Sequence, residues 1–283
     1  MASTRIAVTG STGNIGRAVA AHLDETGTRM RLVVRDPARA PTGARDVVQA
    51  SYGDLEAATA ALRGADVLFM VSASESADRL TQHRTFVDAA AAAGVRHVVY
   101  TSYLGAAPDA TFTLARDHWA TEQYLRESGM AWTFLRDSLY LDFLPTLADE
   151  DGVIRGPAGD GRVGAVARAD IARSAAAVLA GVDAHAGRTY DLTGPEAMTL
   201  SEVARTITDV TGRATTYEEE TVEQAYASRR KYKAPAWQLD AWVSTYTAIA
   251  AGELAAVTDA VEQLTGAAPL SLAELLAPGS HQA

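Results

Sequence analysis

The chain has 283 residues, 48% of them hydrophobic and 21% charged, a globular mixture that excludes a mainly disordered or fibrous polypeptide. Its 25 basic and 35 acidic side chains give a formal charge of -10, and the one basic cluster, Arg229, Arg230, Lys231 and Lys233, is too small for general nucleic-acid binding. There is no cysteine, which excludes disulfides, cysteine nucleophiles and thiolate-held metals.

A chain of this length forms one large α/β domain or two smaller ones. The first ten residues hold only Ile6, Ala7 and Val8 as an apolar run, far short of a signal-peptide core. No later stretch reaches the roughly 18 apolar residues that a membrane helix needs. A cytoplasmic protein, off the membrane, is expected.

Strand-like apolar runs at residues 5–9, 29–34, 66–71, 97–102 and 132–136 alternate with helical spacing of apolar residues at 15–25, 54–62, 78–93 and 114–128. The runs are too uniformly apolar to leave one face wet, so they predict a parallel sheet covered by helices on both sides. After Arg136, the crowding of Gly152, Gly156, Pro157, Gly159, Gly161 and Gly164 marks turns or a hairpin. A helix at 169–180 and a strand at 188–192 then rejoin the sheet. From Leu200 the chain reads as mainly helical, with helices at 200–211 and 236–265 and a solvated helix start at Glu218, Glu219, Glu220 and Glu223. The expected fold class is α/β: a Rossmann-type doubly wound parallel sheet in residues 1–150 and a smaller, mainly helical, substrate-binding lobe in 151–283, with 162–193 returning to the main sheet.

Gly10-Ser-Thr-Gly13-Asn-Ile-Gly16 follows the first strand and opens the first helix. Glycines there permit a tight turn, a close backbone approach to a pyrophosphate and close helix–strand contact, and the helix N-terminus offers free amides. Gly10, Thr12, Gly13, Asn14, Ile15 and Gly16 are therefore the expected phosphate-binding residues. The alternative is a purely structural turn, which accounts for the location but not for three glycines at this spacing.

An NAD-specific fold ends its second strand in an acidic residue that holds the ribose 2′-hydroxyl. Here the strand ends in Arg35, followed by Asp36 and Pro37. A guanidinium grips a 2′-phosphate through two parallel hydrogen bonds, so NADP(H) is expected in preference to NAD(H). Asp36 either caps a turn before the proline or shifts the preference back toward NAD.

Short-chain dehydrogenases use Tyr-x-x-x-Lys, in which the lysine lowers the tyrosine pKa for proton exchange with substrate. No tyrosine here has lysine four positions later, and the only lysines are Lys231 and Lys233. The chain nonetheless resembles the atypical short-chain dehydrogenases of the NmrA-like branch, above all the type 2 NAD(P)H:quinone oxidoreductases and triphenylmethane reductases. The resemblance covers nearly the whole chain. It rests on residues 8–16, Val34-Arg35-Asp36-Pro37, Tyr52-Gly-Asp-Leu55, Arg79 with Gln82-His83, Tyr100-Thr-Ser102, His118 with Glu122, Leu135-Arg136, Arg168 with Asp170-Ile171, and Asp191-Leu-Thr-Gly-Pro195.

That resemblance implies that Asp54 and Leu55 flank the adenine, that Ser72, Ala73 and Ser74 line the dinucleotide near its nicotinamide half, and that Ser102 and Tyr103 face nicotinamide and substrate. Where many relatives place a lysine on the nicotinamide ribose, four residues before a glutamate, this chain has His118, as do quinone-reducing members. His118 and Tyr103 are the implied catalytic residues. Each has a plainer reading: His118 and Glu122 as a surface pair one helical turn apart, Asp54 as a helix N-cap, His83 as a packed helix residue, Trp237 and Trp242 as helix core. No grouping of His and carboxylates has metal spacing, so no metal is expected.

The expected function is an NADPH-dependent reductase of a quinone or similarly flat, electron-poor small molecule. The alternatives are a nucleotide-sensing regulator that binds NADP(H) without turnover, and a pathway-specific carbonyl or enone reductase. Monomer and homodimer both stay open.

Overall fold

The computed structural model describes residues 5–279. Through the first half run β1 (Ile6–Thr9), α1 (Asn14–Glu25), β2 (Met30–Val34), β3 (Val47–Gln49), α2 (Leu55–Leu62), β4 (Val67–Met70), α3 (Arg79–Ala93), β5 (His97–Tyr103), α4 (Thr113–Glu127) and β6 (Ala131–Asp137). Then follow β7 (Val153–Gly156), β8 (Arg162–Val163), α5 (Arg168–Ala180), β9 (Arg188–Leu192), β10 (Met198–Thr199), α6 (Leu200–Thr211), β11 (Thr216–Glu219), α7 (Val222–Arg229), α8 (Ala236–Ala250), α9 (Ala260–Thr265) and α10 (Leu272–Leu276). Among the described residues no helix is long and apolar enough to cross a membrane.

The chain divides into two compact units. The first holds the chain up to Ser102, then Asp117–Arg136 and Ile171–Tyr190. Its parallel sheet has the order β3-β2-β1-β4-β5-β6-β9, which reverses direction between β1 and β4. Val8 pairs with Leu32 on one side and with Phe69 on the other. Period-2 alternation sends Ala7, Val33, Leu68, Met70, Val98, Tyr100 and Phe134 into one core with Leu62, Phe86, Val87 and Leu125 of α2, α3 and α4. The alternating residues Ile6, Val8, Leu32, Phe69, Val99 and Leu135 are buried too, on the opposite face, where the right-handed crossover from β1 to β2 puts α1. This is the Rossmann-type sheet covered on both sides that the apolar runs predict. The three-residue β3 was not among those runs, because it is a half-buried edge strand with little apolar signal.

The second unit, Tyr103–Arg116, Asp137–Asp170 and the chain from Asp191, has its own core, centred on Leu144, Ile154, Val163, Leu200, Val203, Ile207, Tyr246 and Ile249. Three expectations for this half are corrected below, and one is narrowed. Of the turns or hairpin expected for the glycine-rich stretch, the structure has turns; β7 pairs in parallel with β11, and β8 pairs antiparallel with β10. Close packing explains part of its glycine content, since a Cβ on Gly156 would lie 2.2 Å from the Tyr246 ring.

The acidic block is a solvated helix start only at Glu223, exposed in the first turn of α7. Glu218 and Glu219 lie in β11, Arg155 donates to Glu218 at 3.0 Å across the pair, and Glu220 is buried against Arg229 at 2.9 Å. The helix expected over 236–265 is broken into α8 and α9, because Gly252 adopts a φ of +78° and the carbonyl of Leu254 accepts from Gly164 at 2.8 Å. Trp237 and Trp242 are half-buried rather than core.

Candidate active site

At the C-terminal end of β1 the chain turns through Gly10, with a φ of +66°, into α1. A Cβ on Gly16 would lie 2.4 Å from the carbonyl carbon of Gly10, so only glycine lets the helix seat against the turn. At Gly13 a Cβ would meet nothing closer than the Gly10 oxygen at 3.4 Å, and both Gly13 and Asn14 are exposed. Among the described residues no side chain caps this helix, and its first turn carries no acidic residue. The first-turn amides of Asn14, Ile15 and Gly16 are therefore available to an anion, with the positive end of the helix dipole behind them, while the Gly13 amide closes the turn on the Gly10 carbonyl at 2.8 Å. The cradle fits a dinucleotide pyrophosphate.

Arg35 is exposed directly after β2, its carbonyl held by Gln49 at 3.0 Å. The Asp36 carboxylate accepts from the Ala38 amide at 3.0 Å and caps a single 3-10 turn, Pro37–Arg39. Asp54 likewise caps α2 by accepting from Ala57 at 3.0 Å, while Leu55 beside it is 50% exposed, an apolar surface in the turn after β3.

The segment after β4 is clamped from Val71 to Ala73. Val71 donates to Thr9 Oγ1 at 2.9 Å and accepts from the Tyr52 hydroxyl at 2.5 Å; Ser72 donates to Thr101 Oγ1 at 2.8 Å. Ala73 donates to His83 Nε2 at 2.8 Å and accepts from Arg79 Nε at 2.9 Å. Ser74 beyond it is exposed.

His118 and Glu122 are both buried, so the surface-pair reading is set aside. Arginine can only donate, so His118 Nε2 accepts from Arg79 Nη2 at 2.9 Å, which leaves the ring proton on Nδ1, 3.0 Å from the Tyr100 hydroxyl. Burial, reinforced by the Arg79 cation, holds the His118 pKa well below the usual histidine range. The imidazole is neutral. Glu122 accepts from Ser102 Oγ at 2.6 Å and from Arg136 through two bonds of 2.8 and 2.7 Å. Ser102, His118 and Glu122 thus line one face of the β5–α4 pair, together with Tyr100 and Arg136.

In sequence, Arg79, Tyr100, Arg136 and His83 carried the family resemblance without a role. The signal that could have assigned one to Arg79 is its spacing from His83, four residues along one helix face. Tyr103, the last residue of β5, belongs to the second unit, where its ring lies 4.9 Å from that of Phe112 and burial raises its phenol pKa.

A protein family described as NAD(P)H-binding matches residues 10–181. The chain belongs to this NAD(P)H-binding family. Quinone oxidoreductase 2 of Escherichia coli is 40% identical over 221 residues, which is 75% of this chain and 77% of that protein. The crystal structure of the NADPH-dependent quinone oxidoreductase of Escherichia coli complexed with NADPH superposes with a TM-score of 0.88, at 35% identity over 96% of this chain and 98% of the other. A reductase of Streptomyces griseus, named for (4-alkanoyl-5-oxo-2,5-dihydrofuran-3-yl)methyl phosphate, is 37% identical over 270 residues, 92% of this chain and 93% of its own length. The resemblance to the NmrA-like branch and its type 2 quinone oxidoreductases is borne out, and the protein is an NAD(P)H-dependent oxidoreductase.

Proposed function

We propose that this oxidoreductase uses NADPH in preference to NADH to reduce a quinone or a similarly flat, electron-poor acceptor. The observation that carries the reading is the state of His118, whose two ring nitrogens are engaged by Arg79 and Tyr100 and whose imidazole is neutral. No tyrosine of the chain has a lysine four positions later, so the usual short-chain dehydrogenase acid is missing as well. A wall without a poised acid suits an acceptor whose reduced form needs none. Reduction of a quinone yields a phenolate-like oxygen of pKa near 10, which water protonates readily, whereas a simple ketone yields a much more basic alkoxide.

When bound, the nicotinamide cofactor supplies a hydride. The residues around it hold and orient. Gly10, Thr12, Gly13, Asn14, Ile15 and Gly16 take the pyrophosphate, Arg35 the 2′-phosphate, and Asp54 and Leu55 the adenine. Support for Arg35 comes from Asp36, whose carboxylate is occupied with its own turn. Ser72, Ala73, Ser74 and Ser102 line the nicotinamide half, and Tyr103, next in the chain after Ser102, meets the acceptor. Positioning at near-attack distance supplies much of the rate.

A second reading, an enone reductase, is supported by the Streptomyces griseus relative, whose sequence aligns over 92% of this chain at 37% identity, against 75% at 40% for quinone oxidoreductase 2. Its named substrate is an unsaturated lactone carrying a further acyl group, and hydride addition to such a system also leaves a stabilised anion. Stopped-flow oxidation of NADPH against quinones, acyl butenolides and simple ketones separates the readings. Fastest turnover of quinones supports the first and of butenolides the second, and no turnover of any acceptor overturns both in favour of a cofactor-sensing regulator.

A further inference from the structure

Both polar groups of the Ala73 peptide are held by side chains of a single helix, α3. Arg79 Nε donates to its carbonyl at 2.9 Å, and His83 Nε2 accepts its amide proton at 2.8 Å. The second contact requires one tautomer of His83, and a separate chain of bonds enforces it. Thr121 Oγ1 gives its own proton to the Asp117 carbonyl at 2.7 Å, so it can only accept from His83 Nδ1 at 2.8 Å. With the proton on Nδ1, the lone pair sits on Nε2, facing the Ala73 amide.

Two further partners of Arg79 make the clamp continuous with the strand-end wall, because the same guanidinium reaches His118 Nε2 at 2.9 Å and the Asp117 carboxylate at 3.5 Å. Around the His83 ring lie Arg79 on its own helix, Tyr52 at 6.3 Å, Tyr100 of β5 at 5.8 Å, and His118 and Asp117 of α4. A second positive charge beside Arg79 in this buried place is unfavourable, and burial with that cation holds His83 neutral.

We propose that His83 and Arg79 are positioning residues for cofactor binding: by fixing both polar groups of the Ala73 peptide, they set the segment 72–74 in the one conformation that can lie along the dinucleotide. The inference rests on the reading that this segment lines the nicotinamide half. With its peptide groups spent inside the protein, Ala73 offers a ligand its methyl group, while Ser72 and Ser74 offer hydroxyls. Neither α3 side chain touches the cofactor, so their effect is on its affinity and setting.

The test is the NADPH dissociation constant, read by quenching of intrinsic fluorescence, for the wild type, His83→Ala and His83→Gln. His83→Ala loses about tenfold in affinity, the equivalent of one net hydrogen bond. His83→Gln, whose amide oxygen can accept from Ala73, recovers most of it. Wild-type affinity is level from about pH 8 to 6.5 and falls on further acidification as the lone pair is protonated; the glutamine variant lacks that fall. Unchanged affinity in His83→Ala, or equal loss in both variants, overturns the inference while leaving the cofactor reading standing. A wild type that binds no NADPH overturns both. Should His83→Ala fail to fold, hydrogen exchange of the wild-type Ala73 amide decides: protection supports the clamp, and free exchange in the folded protein overturns it.

Discussion

Arg79 Nη2 donates to His118 Nε2 at 2.9 Å, away from water, so the lone pair of this buried histidine is occupied and the ring is not poised as an acid. His118→Ala should therefore cost less than about a hundredfold in kcat for a quinone, below the roughly 10²–10⁴-fold that general-acid catalysis contributes. His118→Gln should recover part of the loss, because its amide oxygen can accept from Arg79. The wild-type rate should show no titration near the ordinary histidine pKa of about 6.5. A loss above a thousandfold in both variants, with a titration there, would identify a carbonyl reductase with His118 as acid.

On the proposed reading, cofactor choice turns on the exposed Arg35. A charge-assisted contact is worth about 1.5–3 kcal/mol, so NADPH should bind roughly ten- to a hundredfold tighter than NADH. Arg35→Ser should level the two constants. If it leaves the preference intact, the 2′-phosphate is held elsewhere.

The glycine turn separates a binding defect from a folding defect. Gly13→Val places its side chain on the open face and should abolish NADPH binding with an unchanged far-ultraviolet circular dichroism spectrum. Gly16→Ala drives a methyl against the Gly10 backbone and should lower the melting temperature as well. Retained binding in Gly13→Val would move the pyrophosphate off this turn.

Asp137, at the end of β6, is buried, and among the described residues neither carboxylate oxygen has a hydrogen-bond partner. Burial raises its pKa well above the ordinary carboxylate value. The native state then keeps a proton that the unfolded chain releases above about pH 4, so stability falls as pH rises from there toward the folded pKa. Asp137→Asn removes that loss. Its melting temperature should exceed the wild type's by several degrees at pH 8, at about 2–4 °C per kcal/mol for a unit of this size, with the gain vanishing near pH 4. A gain of equal size at both pH values would show that the carboxyl does not stay protonated on folding.

Local signals made much of this molecule legible. The buried strands of the first unit announce themselves by uninterrupted apolar runs, and α6 spans the residues 200–211 expected of it, opened in the structure by a Thr199–Glu202 capping box and closed by Gly212. The glycine turn was legible because steric demand at Gly10 and Gly16 admits one residue type. What escaped were relations made only by tertiary pairing. Arg79 meets His118 across 39 positions of sequence, and Glu218 of β11 finds Arg155 across 63, distances over which no periodicity carries information. Composition suggested that Glu220 was solvated, whereas the Arg229 guanidinium holds it buried; Glu218 and Glu219 stay exposed, but on a strand rather than a helix.

The chain passes back and forth between its two units, entering the first three times and the second three times. Strand β9, made after the long stretch from Asp137 to Asp170, completes the sheet beside β6. Neither unit can therefore be excised or transplanted as one continuous cassette: a cut near residue 150 would leave β6 as a bare edge, open to pairing with other chains. Variation of the acceptor among such chains has to proceed by substitution and by insertion within segments, not by exchange of a whole lobe.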